Sequence, residues 1–482
     1  MTYHNSLTEN VDFTAYMWYY DGTLVEKRVN ATMAKRGKLD FALNDNPYYK
    51  MSKIDIEKYP QEFWDINETI TELAYLTHSY FRYYGKFPSK IGKLIVEDLD
   101  GRGKISPKND FVLDNYAGSG TTLVEAKLRD YDSFGIDINP FAVLACKVKT
   151  RNYNVSSLRN YWAELFNEIS AYNYALLPTD EQQLIFADVN KEMTATINNE
   201  VETFKADNKD AEKWFTEKAI IGLAIIKCLL LKRNSSKERD FFELAYFAII
   251  RRVSTAHDGE VRPHVNKKKR ERNVMDAYAK KVSEMIDLMV EWNRVTKESV
   301  ISDAILCDNA SKEGVSDYIS ELKSRTNKEL GLVVSHPPYL NCFDYIPVYK
   351  LKFMWATGFD DIFFGYGYKE IKDMEIKSYP ASSPENIEKY FSHNRKVYEI
   401  VFDNLRHGGY CCVVIGDCTL QENLFEVHKT FITMLEDIGF ITDKIAYRST
   451  AYGIGQYAYR HRADYNEDAN RKKDGVLFFK KP

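Results

Sequence analysis

The sequence of 482 residues predicts an α/β fold, a Rossmann-like parallel sheet interrupted by a large helical insertion. Three observations carry that reading. A strand (FVLD, 111–114) runs into a glycine-rich turn and helix (AGSGTTLVEAKLRD) and then a second strand (SFGID, 133–137), the order of a βαβ unit. From about 155 to 297 the apolar spacing becomes helical, as in EKWFTEKAIIGLAIIKCLLLKR and ERDFFELAYFAIIRRVS. Beyond that block, short apolar runs bounded by turns return, as expected of the remaining strands of the same sheet.

Taken in order, residues 1–70 are rich in Tyr, Asn and Asp without clear periodicity and form an N-terminal extension of uncertain fold. Residues 71–154 hold the first part of the core, and 155–297 the helical insertion. Residues 298–482 hold the second part, with strands in SVISDAILCD, GLVVSHPPY, GGYCCVVIGD and GVLFFKK and a helix in KTFITMLEDIGF.

A hydrophobic share of 44% is ample for a core, while the formal net charge of −4 means that contact with a polyanion must rest on local basic patches. Seven cysteines lie scattered without a C-x-x-C pair, which predicts reduced thiols and no metal. The most apolar run, Ala219 to Leu231, is too short to span a bilayer and contains Lys227, so no membrane association is expected. The opening MTYHNSLTEN shows no secretory pattern, and a cytoplasmic location follows.

Asp114-Asn115-Tyr116-Ala117-Gly118-Ser119-Gly120-Thr121-Thr122 follows a strand and precedes a helix, where glycines let backbone approach a ligand closely. Asp137, ending the next strand, can hold ribose hydroxyls. A nucleoside-containing cofactor is the reading. The loop is not G-x-G-x-x-G and no Walker lysine follows, so dinucleotides and triphosphates fit less well.

Here the chain resembles the amino-methyltransferases of DNA, whose cofactor motif reads D-P-F-A-G-S-G-T-T. The resemblance implies a Rossmann-like methyltransferase sheet and S-adenosyl-L-methionine as cofactor. Asp114 and the loop Ala117, Gly118, Ser119, Gly120 and Thr121 would hold its methionine part, Asp137 its ribose, and Asp308 in ILCDNAS its adenine amino group. Asp308 reads equally as a turn residue. Upstream, Tyr83-Tyr84-Gly85-Lys86-Phe87-Pro88 is similar to a further cofactor motif of the family, which places Lys86, Phe87 and Pro88 near the methionine end.

A second motif extends the likeness. The strand Leu332-Val333-Val334 feeds Ser335-His336-Pro337-Pro338-Tyr339, similar to the family's Asp, Asn or Ser followed by Pro-Pro and an aromatic. An exocyclic amine conjugated with its ring is a poor nucleophile, and acceptors for its hydrogens keep the lone pair available. The side chain before the prolines and the Pro337 carbonyl would supply them, the prolines stiffen the turn, and Tyr339 would stack on a flipped base. The chain departs from the pattern at His336, whose neutral imidazole can still accept one hydrogen bond. Ser335 is the alternative acceptor, and an inactive site the third reading. Asn341 and Asp344 are either pocket residues or capping residues. No Pro-Cys nucleophile is present, which disfavours carbon-5 methylation of cytosine.

DNA is the expected partner, together with a separate restriction or defence nuclease. Arg251, Arg252, Arg262, Lys267, Lys268, Lys269 and Arg270 form the densest basic stretch, read evenly as phosphate contacts or as a solvated loop. Arg460 and Arg462, among tyrosines in the 447–473 tail, are a second candidate. By the same resemblance, the insertion between the two motifs would be the target-recognition region, as in one class of these enzymes, with residues 1–70 the alternative. Cytosine N4 is favoured slightly over adenine N6. Alternatives are an RNA base amino-methyltransferase and a non-catalytic nucleic-acid-binding protein of the same fold.

Overall fold

The structure, a computed structural model, describes residues 43–177, 189–363, 366–376, 378–381, 383–420, 423–448 and 474–482. In chain order its strands are β1 (Gln61–Trp64), β2 (Asp110–Asp114), β3 (Ser133–Asp137), β4 (Ser302–Leu306), β5 (Glu329–Ser335), β6 (Tyr410–Gly416), β7 (Cys418–Leu420), β8 (Asn423–Phe425), β9 (Ile441–Arg448) and β10 (Asp474–Lys480). Eight of them form one sheet in the order β1-β9-β10-β6-β5-β2-β3-β4, while β7 and β8 make a separate hairpin. Only β10 runs antiparallel to its neighbours in the large sheet. The predicted Rossmann-like sheet is therefore present, with its order reversing between β2 and β5.

Strand residues alternate between two apolar layers. Phe111, Leu113, Val333 and Val413 pack against the helices Lys312–Thr326, Pro384–Asn404 and Val427–Ile438. Val112, Leu332, Val334 and Val414 face the helix Ser89–Gly101 through Ile91, Ile95 and Leu99.

Between β3 and β4, helices fill the described segments from Val155 to Val295. Its centre is Glu217–Leu231, apolar on every side and buried along most of its length, the condition of a helix surrounded by others. The lobe is larger than the sequence suggests. Its apolar core also takes Ile346, Tyr349, Leu351, Trp355, Phe359 and Phe363, which follow the second motif, and Phe141 from the helix Pro140–Thr150 beside the sheet. No helix among the described residues is long and apolar enough to cross a membrane.

The N-terminal boundary needs correction. Within 43–70, Pro47–Met51 packs beside Val427–Ile438, and β1 pairs in parallel with β9 at the sheet edge, so this part belongs to the core. Residues 1–42 and the 449–473 segment, with Arg460 and Arg462, lie outside the described residues.

Candidate active site

Three strand ends meet at one edge of the sheet. Asp114, last in β2, is in register with Gly135 of β3 and Val334 of β5, so the turns after these strands open side by side. This is where the strand order reverses, the place at which open α/β sheets hold ligands.

The turn after β2 needs its glycines. Gly118 and Gly120 have φ of +49° and +76°, and a Cβ on either would come within 3.1 Å of the Tyr83 ring or 3.2 Å of the Cys146 backbone. Gly118 N donates to Asp137 Oδ2 at 2.7 Å, and the buried Lys149 ammonium donates to the Ser119 carbonyl. Asp114 Oδ1 accepts from Tyr116 N at 3.0 Å beneath the turn. Burial pushes the Asp114 carboxyl up to about 7 and that of Asp137 up to about 6, although Asp137 also accepts from Asn139 N at 2.8 Å.

Above the turn lies a cavity of about 790 Å³, open solvent at its mouth included. Of the residues anticipated for a cofactor, Lys86, Phe87, Ala117, Gly118, Ser119, Thr121 and Asp137 line it. Asp114 props the turn from below, and Pro88 and Gly120 stand outside the lining. Asp308 also falls outside, because its Oδ1 accepts from Ala310 N at 2.9 Å, closing its own turn; its neighbour Asn309 faces the cavity instead.

Sequence reasoning missed several wall residues. Tyr345 stands in the stretch LNCFDY after the second motif, whereas Glu375 comes from a segment without a motif and is held by the backbone N–H groups of Tyr345 and Ile346. Asn115 did carry a signal, since it stands where the resembled motif has proline. Both polar atoms of its side chain, Ser119 Oγ and Thr121 Oγ1 are buried without a hydrogen-bond partner among the described residues. Four unmatched polar atoms in one apolar-walled cavity fit a ligand that is itself polar at one end.

The second turn presents its side chains selectively. Ser335, the last residue of β5, is fully buried with Oγ 2.8 Å from the Tyr398 hydroxyl, outside the cavity. That corrects its expected role as alternative acceptor: the strand pleat turns it into the core. His336 and Pro338 do line the cavity, and Pro337 is buried. The His336 ring stands edge-on to Phe87 and Tyr339, at 5.1 and 5.2 Å between centroids. Tyr390 donates to the Pro338 carbonyl at 2.8 Å, while the Tyr339 hydroxyl donates at 2.7 Å to Asp474, itself paired with Arg448.

His336 has two faces to serve. A second cavity, of about 720 Å³, is lined by Tyr339, Phe343 and Arg448 and shares Gly85, Lys86, Phe87, His336 and Tyr345 with the first. Within this shared wall the Lys86 ammonium reaches the His78 carbonyl at 3.3 Å, and burial pushes it down to about 8. Asn341 and Asp344 line neither cavity. Asn341 Oδ1 accepts from Ala381 N at 3.2 Å, and Asp344 lies 3.9 Å from Arg262.

The basic stretch divides. Arg251 is buried and donates to the carbonyls of His257, Glu260 and Val261, and Lys269 donates to those of Arg251 and Ala256 and to Asp258. These two tie a turn together, which corrects their reading as phosphate contacts. Arg252, Arg262, Lys267, Lys268 and Arg270 remain exposed.

Residues 16–147, which include the whole cofactor turn and Asp137, match the model of a DNA methylase family of the N6/N4 type. The likeness is thus to the N6/N4 DNA methylases, over little more than a quarter of the chain. Similar proteins include the type II methyltransferase M.MvaI of Kocuria varians, 26% identical over 209 residues, covering 42% of this chain and 41% of that protein. The type II methyltransferase M.BsoBI of Geobacillus stearothermophilus is 22% identical over 358 residues, covering 73% and 65%. The chain thus spans less than two thirds of the length of either relative. Among solved structures, an rRNA methyltransferase, aviRa from Streptomyces viridochromogenes, aligns over 72% of this chain and 82% of its own at 9% identity; its TM-score of 0.27 carries no weight.

Proposed function

We propose that this protein transfers a methyl group from S-adenosyl-L-methionine to an exocyclic amino group of a DNA base, with cytosine N4 ahead of adenine N6. The observation that carries the reading is His336 in the wall common to two cavities, one built on the glycine turn and one beside Tyr339.

The donor set of the first cavity fits the cofactor. Asn115, Ser119 and Thr121 offer unmatched polar atoms for the amino and carboxylate groups of its methionine end, and Asp137 stands ready for the ribose hydroxyls. When bound, the cofactor supplies an electrophilic methyl group. The protein's own part is positional. A base in the second cavity meets His336, whose neutral ring accepts one amine hydrogen and leaves the lone pair free for attack. Tyr339, fixed through Asp474, and Phe87 hold that imidazole between them. A cytoplasmic location and a separate restriction nuclease as partner belong to the same proposal.

Incubation with tritiated S-adenosyl-L-methionine and mixed-sequence DNA or RNA, followed by digestion to nucleosides, tests this. Label in N4-methyldeoxycytidine or N6-methyldeoxyadenosine is expected. Label confined to RNA, or no label while cofactor binds, contradicts it.

A further inference from the structure

A third cleft, separate from the cofactor cavity, opens between segment 79–84 and the helices Lys237–Val253 and Val274–Val295. Its walls carry seven cationic side chains against two carboxylates around about 1060 Å³ of space. Part of that charge is committed within the protein. Arg251 serves the carbonyls of the 257–261 turn, Arg272 lies 3.1 Å from Asp258, and the other carboxylate, Glu284, lies 4.0 Å from Lys280.

The remainder forms no ion pair within 4 Å among the described residues. Lys281 donates to the Ser79 carbonyl at 3.0 Å. Neither the Arg252 guanidinium nor the Lys352 ammonium finds an acceptor among the described residues. Arg252 is exposed, whereas Lys352 is only 6% exposed, its Nζ 5.2 and 5.7 Å from the Phe81 and Tyr349 ring centres. Burial, with Arg251 and Arg82 nearby, pushes that ammonium down to about 7. A buried cation among cations is costly unless a ligand supplies the counter-charge. The cleft also shares Arg82 and Tyr84 with the second cavity, where His336 faces.

We propose that this cleft binds backbone phosphates of the DNA strand beside the target base, received by Lys352, Arg252 and Lys281. A nucleotide with its base in the second cavity presents its flanking phosphates along the wall that the two spaces share. The inference rests on the proposed function, since it takes the ligand to be that same DNA strand.

The test uses the full chain and a fluorescein-labelled DNA duplex, with affinity measured by anisotropy across a salt series. Lys352→Met and Arg252→Ala are compared with Lys93→Ala, which removes a cation on the helix Ser89–Gly101. Melting profiles verify folding, and Arg252, being exposed, provides an answer if Lys352→Met fails to fold. Each cleft variant is expected to make the plot of log affinity against log salt shallower by about 0.9. Lys93→Ala is expected to leave the slope unchanged, and all three to keep their affinity for S-adenosylhomocysteine. Wild-type slopes in both cleft variants, with methyl transfer to DNA intact, overturn the inference alone. No DNA binding and no label in DNA overturn it together with the proposed function. Pyrophosphate binding that Lys352→Met abolishes, with the DNA slope untouched, assigns the cleft to a free anion and overturns it too.

Discussion

At the scale of single residues, the site depends on small groups in exact places more than on strong charges. Gly85, at φ +83°, lets Tyr345 approach so closely that an added Cβ would lie 2.6 Å from its ring. Gly85→Ala should therefore displace the wall shared by the two cavities, lowering S-adenosylhomocysteine affinity in a titration; unchanged affinity would show that the wall is not where we place it. Lys352 makes a prediction in pH. Its folded-state value of about 7 lies below the unfolded value of about 10.4, so its burial costs stability fully below pH 7 and less as pH rises toward 10. Lys352→Met should raise the melting temperature of the free protein more at pH 6 than at pH 9. A gain independent of pH would remove the burial argument. His336 was legible as a departure from the resembled motif, and Ser335 beside it was not distinguishable by composition. Only the pleat of β5 separates them, putting one at the cavity and the other against Tyr398.

At the scale of elements, the turns after β2 and β5 were readable because each joins an apolar strand to residues with restricted backbones, glycine in one and proline in the other. What the sequence concealed were partners supplied from far along the chain. Tyr339 is tied to Asp474 at the start of β10, and Arg448 at the end of β9 completes the contact. Asp474 is fully buried, so Asp474→Asn removes the counter-charge of a nearly buried Arg448 and loosens the turn. We expect it to raise the KM for DNA and lower kcat while cofactor affinity stays near wild type; equal kinetics would show that Tyr339 needs no anchor. β1 escaped detection for another reason. It has four residues, alternately exposed and half-buried, with Phe63 43% exposed, so its periodicity was too short to see. Arg251 and Lys269 misled because a charge run says nothing about nearby carbonyls, and both ammonium and guanidinium groups can be buried on them.

At the scale of the whole molecule, the helical lobe and the sheet are continuous through Pro140–Thr150. That helix gives Phe141 to the lobe, Cys146 to the back of the glycine turn and Lys149 to the Ser119 carbonyl. Truncation deep in the lobe should accordingly be felt at the cofactor turn. Leu223→Ala, at a site with no exposure, is expected to cost about 2–5 kcal/mol in chemical denaturation and to weaken cofactor binding near the transition. A lobe that melts separately, leaving cofactor affinity intact, would refute this coupling. The helices between 155 and 295 were legible from their spacing, but the contribution of 346–371 to the same core was not, because those helices are short and their aromatic residues acquire meaning only when packed against Phe141 and Phe247.

All three scales converge on His336, in the wall between the cavities. The most direct measurement is single-turnover methyl transfer to DNA at saturating tritiated S-adenosyl-L-methionine, comparing wild type, His336→Ala and Ser335→Ala. We predict a loss on the order of 100-fold or more for His336→Ala, with cofactor still bound, and a rate close to wild type for Ser335→Ala. Full transfer by His336→Ala would contradict the assignment of the acceptor to this imidazole.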